Sequence, residues 1–267
     1  MKNIVFTLLS LMAISAVAAQ EDSSAAATSD TTKLRVGKKR FFMTSAGTKD
    51  ADNGKLKKAE AYWSGIGIGV NMLAQRDGDL SLPRKFRQWE NEPIRSLTWN
   101  LNFADVFIPL TKDRHSFGLV CGGGITYRSF SFVDDDKDIF TDRDTTYLSS
   151  NIDGRTYEKR KFRITYLSVP LLVSINTSAE KKENFHLSTG VIANLRLGSL
   201  YKQKYTENSE ERKVRTRDDF NLNPISFDFT VRAGYRGATL FFNYGLTPLF
   251  KKGTGPELIP LTFGIQL

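Results

Sequence analysis

An aspartate and an arginine, Asp228 and Arg232, interrupt a strongly alternating stretch, ISFDFTVRAGY, whose other beat is apolar. A carboxylate and a guanidinium in such a place could form an ion pair that locks a polar interior, or serve as stations on a proton or substrate path. On one strand these two side chains stand about 13 Å apart, so neither satisfies the other. Each needs a partner on a neighbouring strand, because an unpaired buried charge is costly. Arg128 and Arg196 lie on the polar beats of two further alternating stretches. The expected network is therefore Arg128, Arg196, Asp228 and Arg232, with Asp228 paired to Arg196 or to another of these arginines.

Other residues offer other chemistry. The two histidines are His115 and His186, and Ser188 follows His186 by two positions. A nucleophile and its base need to be within hydrogen-bond reach, and neighbours on one strand face are too far apart to supply that. No arrangement in the sequence meets the test of roles and geometry for an enzyme, so no catalytic residue, cofactor or metal centre is expected. The run FVDDDKDIFTDRD, residues 132 to 144, is rich in oxygen ligands that could hold calcium. Its spacing does not match an EF-hand, and a solvated acidic loop is the expected outcome. Arg84, Lys85, Arg87, Lys159, Arg160, Lys161, Lys202 and Lys204 are candidate phosphate contacts, with ordinary solvated charge as the plain alternative.

The formal charge of +9 is spread among acids instead of gathered on one arm, which argues against nucleic acid as a partner. The single cysteine, Cys121, has no intrachain disulfide partner. The N-terminus, MKNIVFTLLSLMAISAVAAQED, has a lysine, an apolar run and small residues before Gln20. That is the pattern of an export signal over residues 1–19. Residues 20–61 begin with a small, polar run that cannot bury a core and are expected to be a flexible segment, with a short hairpin near Gly37.

From Tyr62 eight alternating segments follow, each long enough for a tilted strand to cross a bilayer. They run from Tyr62 to Met72, Ser96 to Phe107, Phe117 to Arg128, Thr165 to Thr177, Phe185 to Gly198, Ile225 to Arg236, Thr239 to Leu246 and Leu258 to Leu267. Their connections alternate: 73–95, 129–161, 199–221 and 248–257 are long, whereas 108–115, 178–184 and the pair Arg236–Gly237 are short. An even strand number, sorted loops and an export signal describe an all-β, eight-stranded antiparallel up-and-down transmembrane β-barrel over residues 62–267. The apolar faces then point to lipid and the charged faces to the lumen, and residues 20–61 lie in the periplasm. A secreted sandwich would also alternate, but it has no need to sort its loops by length and would bury these charges in a dry core. A lumen of eight strands is filled by side chains; the inward glycines of the first and third segments leave room for Trp63, Tyr166 and the arginines. Pro170 and Pro260 are awkward in a closed sheet and predict bulges. Leu267 departs from the aromatic last residue common in such barrels.

The segments SLTWNLNF (96–103), TYLSVPLLV (165–173), FHLSTGVIANLRLGSLYK (185–202), RDDFNLNPISFDFTVRAGY (217–235) and LFFNYGLTPLFKKGTGPELIPLTFGI (240–265) resemble the PorT-like outer-membrane β-barrel proteins of Bacteroidota. The resemblance implies the barrel and carries no catalytic residues; the named member of that family is linked to the export of secreted proteins. Two roles are therefore expected: a non-enzymatic envelope protein acting through loops 129–161 and 199–221, or an accessory subunit of a secretion or assembly machine. The expected partners are outer-membrane lipid and lipopolysaccharide, whose phosphates the basic residues above would meet, and envelope or secretion proteins.

Overall fold

The computed structural model describes residue 61 onward except 83–85, 87–88, 112–115, 133–136, 151–155, 179–183 and 208–209, and the backbone of 31–36, 39–44, 47–49 and 56–58. The expected export signal lies outside the described residues. Two compact units are present, Met1–Lys58 and Ala59–Leu267. In the first, β1 (Thr31–Val36) pairs with β2 (Lys39–Thr44), matching Val36 to Lys39, the hairpin expected near Gly37. β3 (Gly47–Lys49) pairs with β4 (Leu56–Lys58).

The second unit continues with β5 (Gly65–Ala74), β6 (Leu97–Pro109), β7 (Phe117–Ser131), β8 (Lys137–Thr141), β9 (Thr146–Ser150), β10 (Thr156–Asn176), β11 (Phe185–Glu207), β12 (Glu210–Arg217), β13 (Ile225–Tyr235), β14 (Ala238–Gly245) and β15 (Ile259–Gln266). Eight of these close a ring in the order β5, β6, β7, β10, β11, β13, β14, β15 and back to β5, every pair antiparallel. This is an outer-membrane-type β-barrel, and closure leaves no unpaired edge among its eight strands.

The outward side is apolar where lipid must lie. Ile66, Leu171 and Phe263 are 59%, 58% and 50% exposed, a wasteful arrangement in water and a favourable one in a bilayer. Along β10 and β11 the pattern then inverts. On β10 the outward residues Ile175, Val173, Leu171, Val169 and Leu167 give way beyond Thr165 to Arg163, Lys161 and Lys159, while the inward residues change from Ser174 and Ser168 to buried Ile164 and Phe162. Apolar outside and polar inside becomes the reverse, as expected where a strand leaves lipid for water. About ten residues cross a bilayer, so strands of 21 and 23 residues, β10 and β11, extend far beyond it.

This corrects the expected loops. Segments 129–161 and 199–221 are not simple links: the first holds the ends of β7 and β10 and the β8–β9 hairpin, and the second holds the end of β11 and β12. Charge ends the lipid-facing pattern there but not the strand. Pro170 pairs with Ile192 on β11, whereas the β10–β7 ladder parts between Ser168 and Leu171 without a change of register, so no bulge is needed. Pro260 stands at the second residue of β15, beyond the last β14 pair at Leu261, and Gly245 leaves room for its ring. Bulges occur instead at Phe103, Glu158 and Leu197.

Candidate functional site

Two regions hold the chemistry: the lumen and the ladder that projects from it. In the lumen, Arg128 Nη2 donates to Asp228 Oδ2 at 2.9 Å, and both side chains are 3% exposed. Asn194 Nδ2 donates to the same oxygen at 2.8 Å. Ser168 Oγ donates to Asn194 Oδ1 at 2.7 Å and meets Thr126 Oγ1 at 2.9 Å, which itself donates to Asn100 Oδ1 at 3.1 Å. A chain of polar groups thus crosses the barrel around one buried ion pair, with Asp228 Oδ1 and Arg128 Nε left without a hydrogen-bond partner among the described residues.

Asp228 therefore pairs with Arg128 and not with Arg196. The bulge at Leu197 lies beside Arg196, whose guanidinium reaches Asp219 at 4.0 Å and Ser199 at 3.4 Å at the long-loop end. The Asn221 backbone N–H and Lys251 hold the Asp219 carboxyl below its ordinary value. Arg232 has no carboxylate partner among the described residues. Its Nη2 donates to Gln266 Oε1 at 2.5 Å, and its guanidinium lies 4.9 Å from the Trp63 ring centroid and 5.4 Å from that of Phe241. Cation–π contact and a neutral amide take the place of a counter-ion.

Trp63 reaches this point because the chain turns into the barrel before β5. Asp105 Oδ2 accepts the backbone N–H groups of Trp63 at 3.2 Å and Ser64 at 2.8 Å. Gly65 has φ +144°, and a Cβ there would meet the Leu267 carbonyl. Tyr62 consequently does not join the lipid face, as the alternation implied; it is buried, with its ring stacked 4.1 Å from that of His186. Gly122 leaves room for the indole, a Cβ there falling 2.7 Å from Trp63 Cδ1. His186 Nε2 lies 3.0 Å from Thr239 Oγ1, while Ser188 Oγ donates to Ser174 Oγ at 2.8 Å. The serine and the histidine face different partners and form no nucleophile–base pair. His115 lies outside the described residues.

At the other end the barrel mouth is filled by an apolar cluster that includes Trp89, Phe130, Phe162, Phe220, Phe250 and Leu258. The β8–β9 hairpin adds Ile139 and Leu148 to it. Asp138, from the acidic run, accepts from Tyr157 Oη at 2.9 Å and Tyr201 Oη at 2.7 Å, and from Gln203 Nε2. It ties the hairpin to the inner face of β10 and β11. Burial first, and then this carboxylate, push the Tyr201 phenol well above its usual range. Residues 133–136 of the run lie outside the described residues; among those described, no group of acids, histidines or cysteines is placed to hold a metal. The apolar cap left only a weak sequence signal, the aromatic residues on alternate inward positions of β10 and β11.

The basic candidates separate. Lys159, Lys161, Lys202 and Lys204 lie on the outward face of the projecting ladder, whereas Arg160 points inward, is 4% exposed and lies over the Tyr157 ring at 5.5 Å. Arg84, Lys85 and Arg87 lie outside the described residues. Arg163, Arg215 and Arg217 share the outward face; sequence reasoning missed Arg163 because it began the strand at Thr165, and Arg215 and Arg217 because it placed a loop where β11 and β12 form a hairpin.

A family model described as outer membrane protein beta-barrel domain matches residues 65–251. No curated protein matches the chain. Two solved structures of Ail, the attachment invasion locus protein of Yersinia pestis, are similar. The one in complex with the heparin analogue sucrose octasulfate is 7% identical, with 76% of this chain and 94% of that one covered and a TM-score of 0.31. The other is 8% identical, with 76% and 96% covered and a TM-score of 0.30.

Proposed function

We propose, from the premise that the chain belongs to the outer membrane protein β-barrel domain family, that it is a non-enzymatic envelope protein whose work is done by the part projecting beyond the membrane. The observation that carries this is the closed interior. Trp63 and the Asp228 network fill the lumen, and the aromatic cap fills the long-loop mouth, so the barrel serves as a rigid anchor and not as a conduit. In barrels of this kind short turns face the periplasm and long connections the exterior. The projecting β10, β11 and β12 are then a rigid extracellular sheet available for surface contacts or for reinforcing the envelope. Residues 1–19 act as the export signal and residues 20–61 as a periplasmic segment.

The test is to shorten the projection without touching the lumen. Lys202 and Arg215 are register partners, so replacing residues 203–214 by a two-residue turn closes a shorter hairpin. Cells carrying this variant should become as sensitive to detergents and large antibiotics as cells lacking the protein, while the barrel keeps its heat-modifiable electrophoretic migration. Unchanged sensitivity with a folded barrel would refute the role.

A second reading, a PorT-like accessory subunit of a secretion or assembly machine, draws on the resemblance of five segments between 96 and 265 and on the separate compact unit Met1–Lys58. It predicts near-stoichiometric envelope partners crosslinked through residues 20–61. Their absence after crosslinking in native membranes would remove it.

A further inference from the structure

We propose that the outward face of the β10–β11–β12 ladder is a phosphate-binding surface for the phosphorylated glycolipid of the outer leaflet. The inference rests on the ladder being extracellular, as argued for the function above. Register brings the cations together. Lys161 lies opposite Lys202, and Lys202 opposite Arg215, in one row across three strands. The next row towards the membrane is Arg163, Leu200 and Arg217, and the next away from it is Lys159, Lys204 and Lys213. Neighbouring strands are about 4.8 Å apart and same-face residues roughly 6.7 Å apart, so one phosphate can reach several of these side chains.

Within these three rows, acids among the described residues pair only with Lys204 and Lys213 of the far row. Lys204 pairs with Glu158 at 2.5 Å and with Glu211 at 2.9 Å, and Lys213 pairs with Glu211 at 2.9 Å. Among the described residues no carboxylate pairs with Lys161, Arg163, Lys202, Arg215 or Arg217. Their repulsion is visible in the amines: Arg163 above all, then burial and Arg215, hold Lys202 below the usual lysine value. Burial, with Lys159, Arg163 and Arg95, does the same to Lys161. Like charges placed directly opposite one another destabilise a sheet, and an external anion relieves that cost.

Position selects the occupant. Arg163 follows Leu167, the last large lipid-facing residue of β10, by about 13 Å along the strand, and Lys161 by about 20 Å. At a tilt of about 40° these become roughly 10 and 15 Å along the membrane normal, past the hydrocarbon and within reach of the phosphorylated sugars of the glycolipid, on the side of the sheet that continues the lipid-facing surface. Arginine forks suit phosphate oxygens, and Leu200, half-buried at the centre of the near row, offers an apolar neighbour to the base of the glycolipid. A soluble polyanion would have no reason to require this continuity with the lipid band.

The experiment compares the full chain with Lys161→Gln/Lys202→Gln/Arg215→Gln, purified in mild detergent and incubated with lipopolysaccharide or with the same glycolipid dephosphorylated. Native mass spectrometry counts the bound glycolipid. The wild type should retain the phosphorylated form at least tenfold better than the dephosphorylated one, and the triple variant should lose that preference. Lys204→Gln/Lys213→Gln, whose cations are already paired, should keep it. Equal retention by wild type and triple variant, or equal binding of the dephosphorylated form, overturns the proposal. Arg215→Gln alone, on the exposed outer strand, provides the same readout with the least risk to folding, and a loss of about threefold is expected. A separate measurement, labelling of Lys213→Cys on intact cells by a membrane-impermeant maleimide, tests the extracellular placement. Labelling without glycolipid preference overturns only the proposal, whereas absence of labelling overturns both.

Discussion

Asp228→Asn isolates the buried ion pair with the smallest change of shape. Asp228 and Arg128 are each 2% exposed and their charged atoms are 2.9 Å apart. At an effective dielectric of about 20, unit charges at that distance attract by about 6 kcal/mol, part of which offsets the cost of removing both from water. Taking away one partner leaves the other buried and uncompensated, which typically costs about 3–5 kcal/mol. Asparagine can still accept from Asn194, so the expected loss is at the lower end, about 3 kcal/mol. Arg128→Gln should cost a similar amount, because it strands the carboxylate. The double variant should cost well below the sum, with a coupling of about 2 kcal/mol or more. Urea titration in detergent micelles, read by heat-modifiable migration, gives all four corners of the cycle. A single-variant cost under about 1 kcal/mol with additive behaviour would refute the idea that this pair organises the lumen.

Three further outcomes follow from the same geometry. Gly122→Val should destabilise the barrel by about 1–3 kcal/mol, since its Cβ would approach Trp63 and the Ala104 carbonyl, whereas Gly198→Ala, with open space around it, should be neutral in the same urea assay. Limited amine-reactive labelling near pH 8.5 should modify Lys202 and Lys161 before Lys204, because the first two are held below the usual lysine value and hydrogen bonds to Glu158 and then Glu211 raise the third; peptide mapping that finds Lys204 first would contradict the charge map. Reconstituted into planar bilayers, the protein should show no steady open-pore steps, and regular conductance steps in the wild type would contradict the filled lumen and capped mouth.

The sequence by itself determined the barrel. Period-two alternation in eight stretches separates a lipid face from a lumen face whatever the pairing, and loop lengths sort the two ends; Leu171 outward and Ser168 inward are legible without coordinates. It also marked Arg128, Asp228 and Arg232 as lumen residues, since a charge on the polar beat has nowhere else to go. Which arginine meets Asp228 was decided by tertiary structure, because pairing across non-adjacent strands depends on register and tilt, and the bulge at Leu197 lies beside Arg196, which is held at the long-loop end. Likewise Tyr62 fits the outward beat in sequence, yet Asp105 captures the turn at Trp63 and Ser64 and draws the ring inside. The projecting ladder was hidden for a related reason. Beyond the membrane the alternation persists with its polarity inverted, Lys161 and Lys202 outward and Phe162 and Tyr201 inward, and only knowledge of which strands continue in register distinguishes such a segment from a charged loop. The clustering of Lys161, Arg163, Lys202, Arg215 and Arg217 therefore belongs to the structure: residues as far apart as 161 and 215 become neighbours only when hydrogen-bonded strands align them.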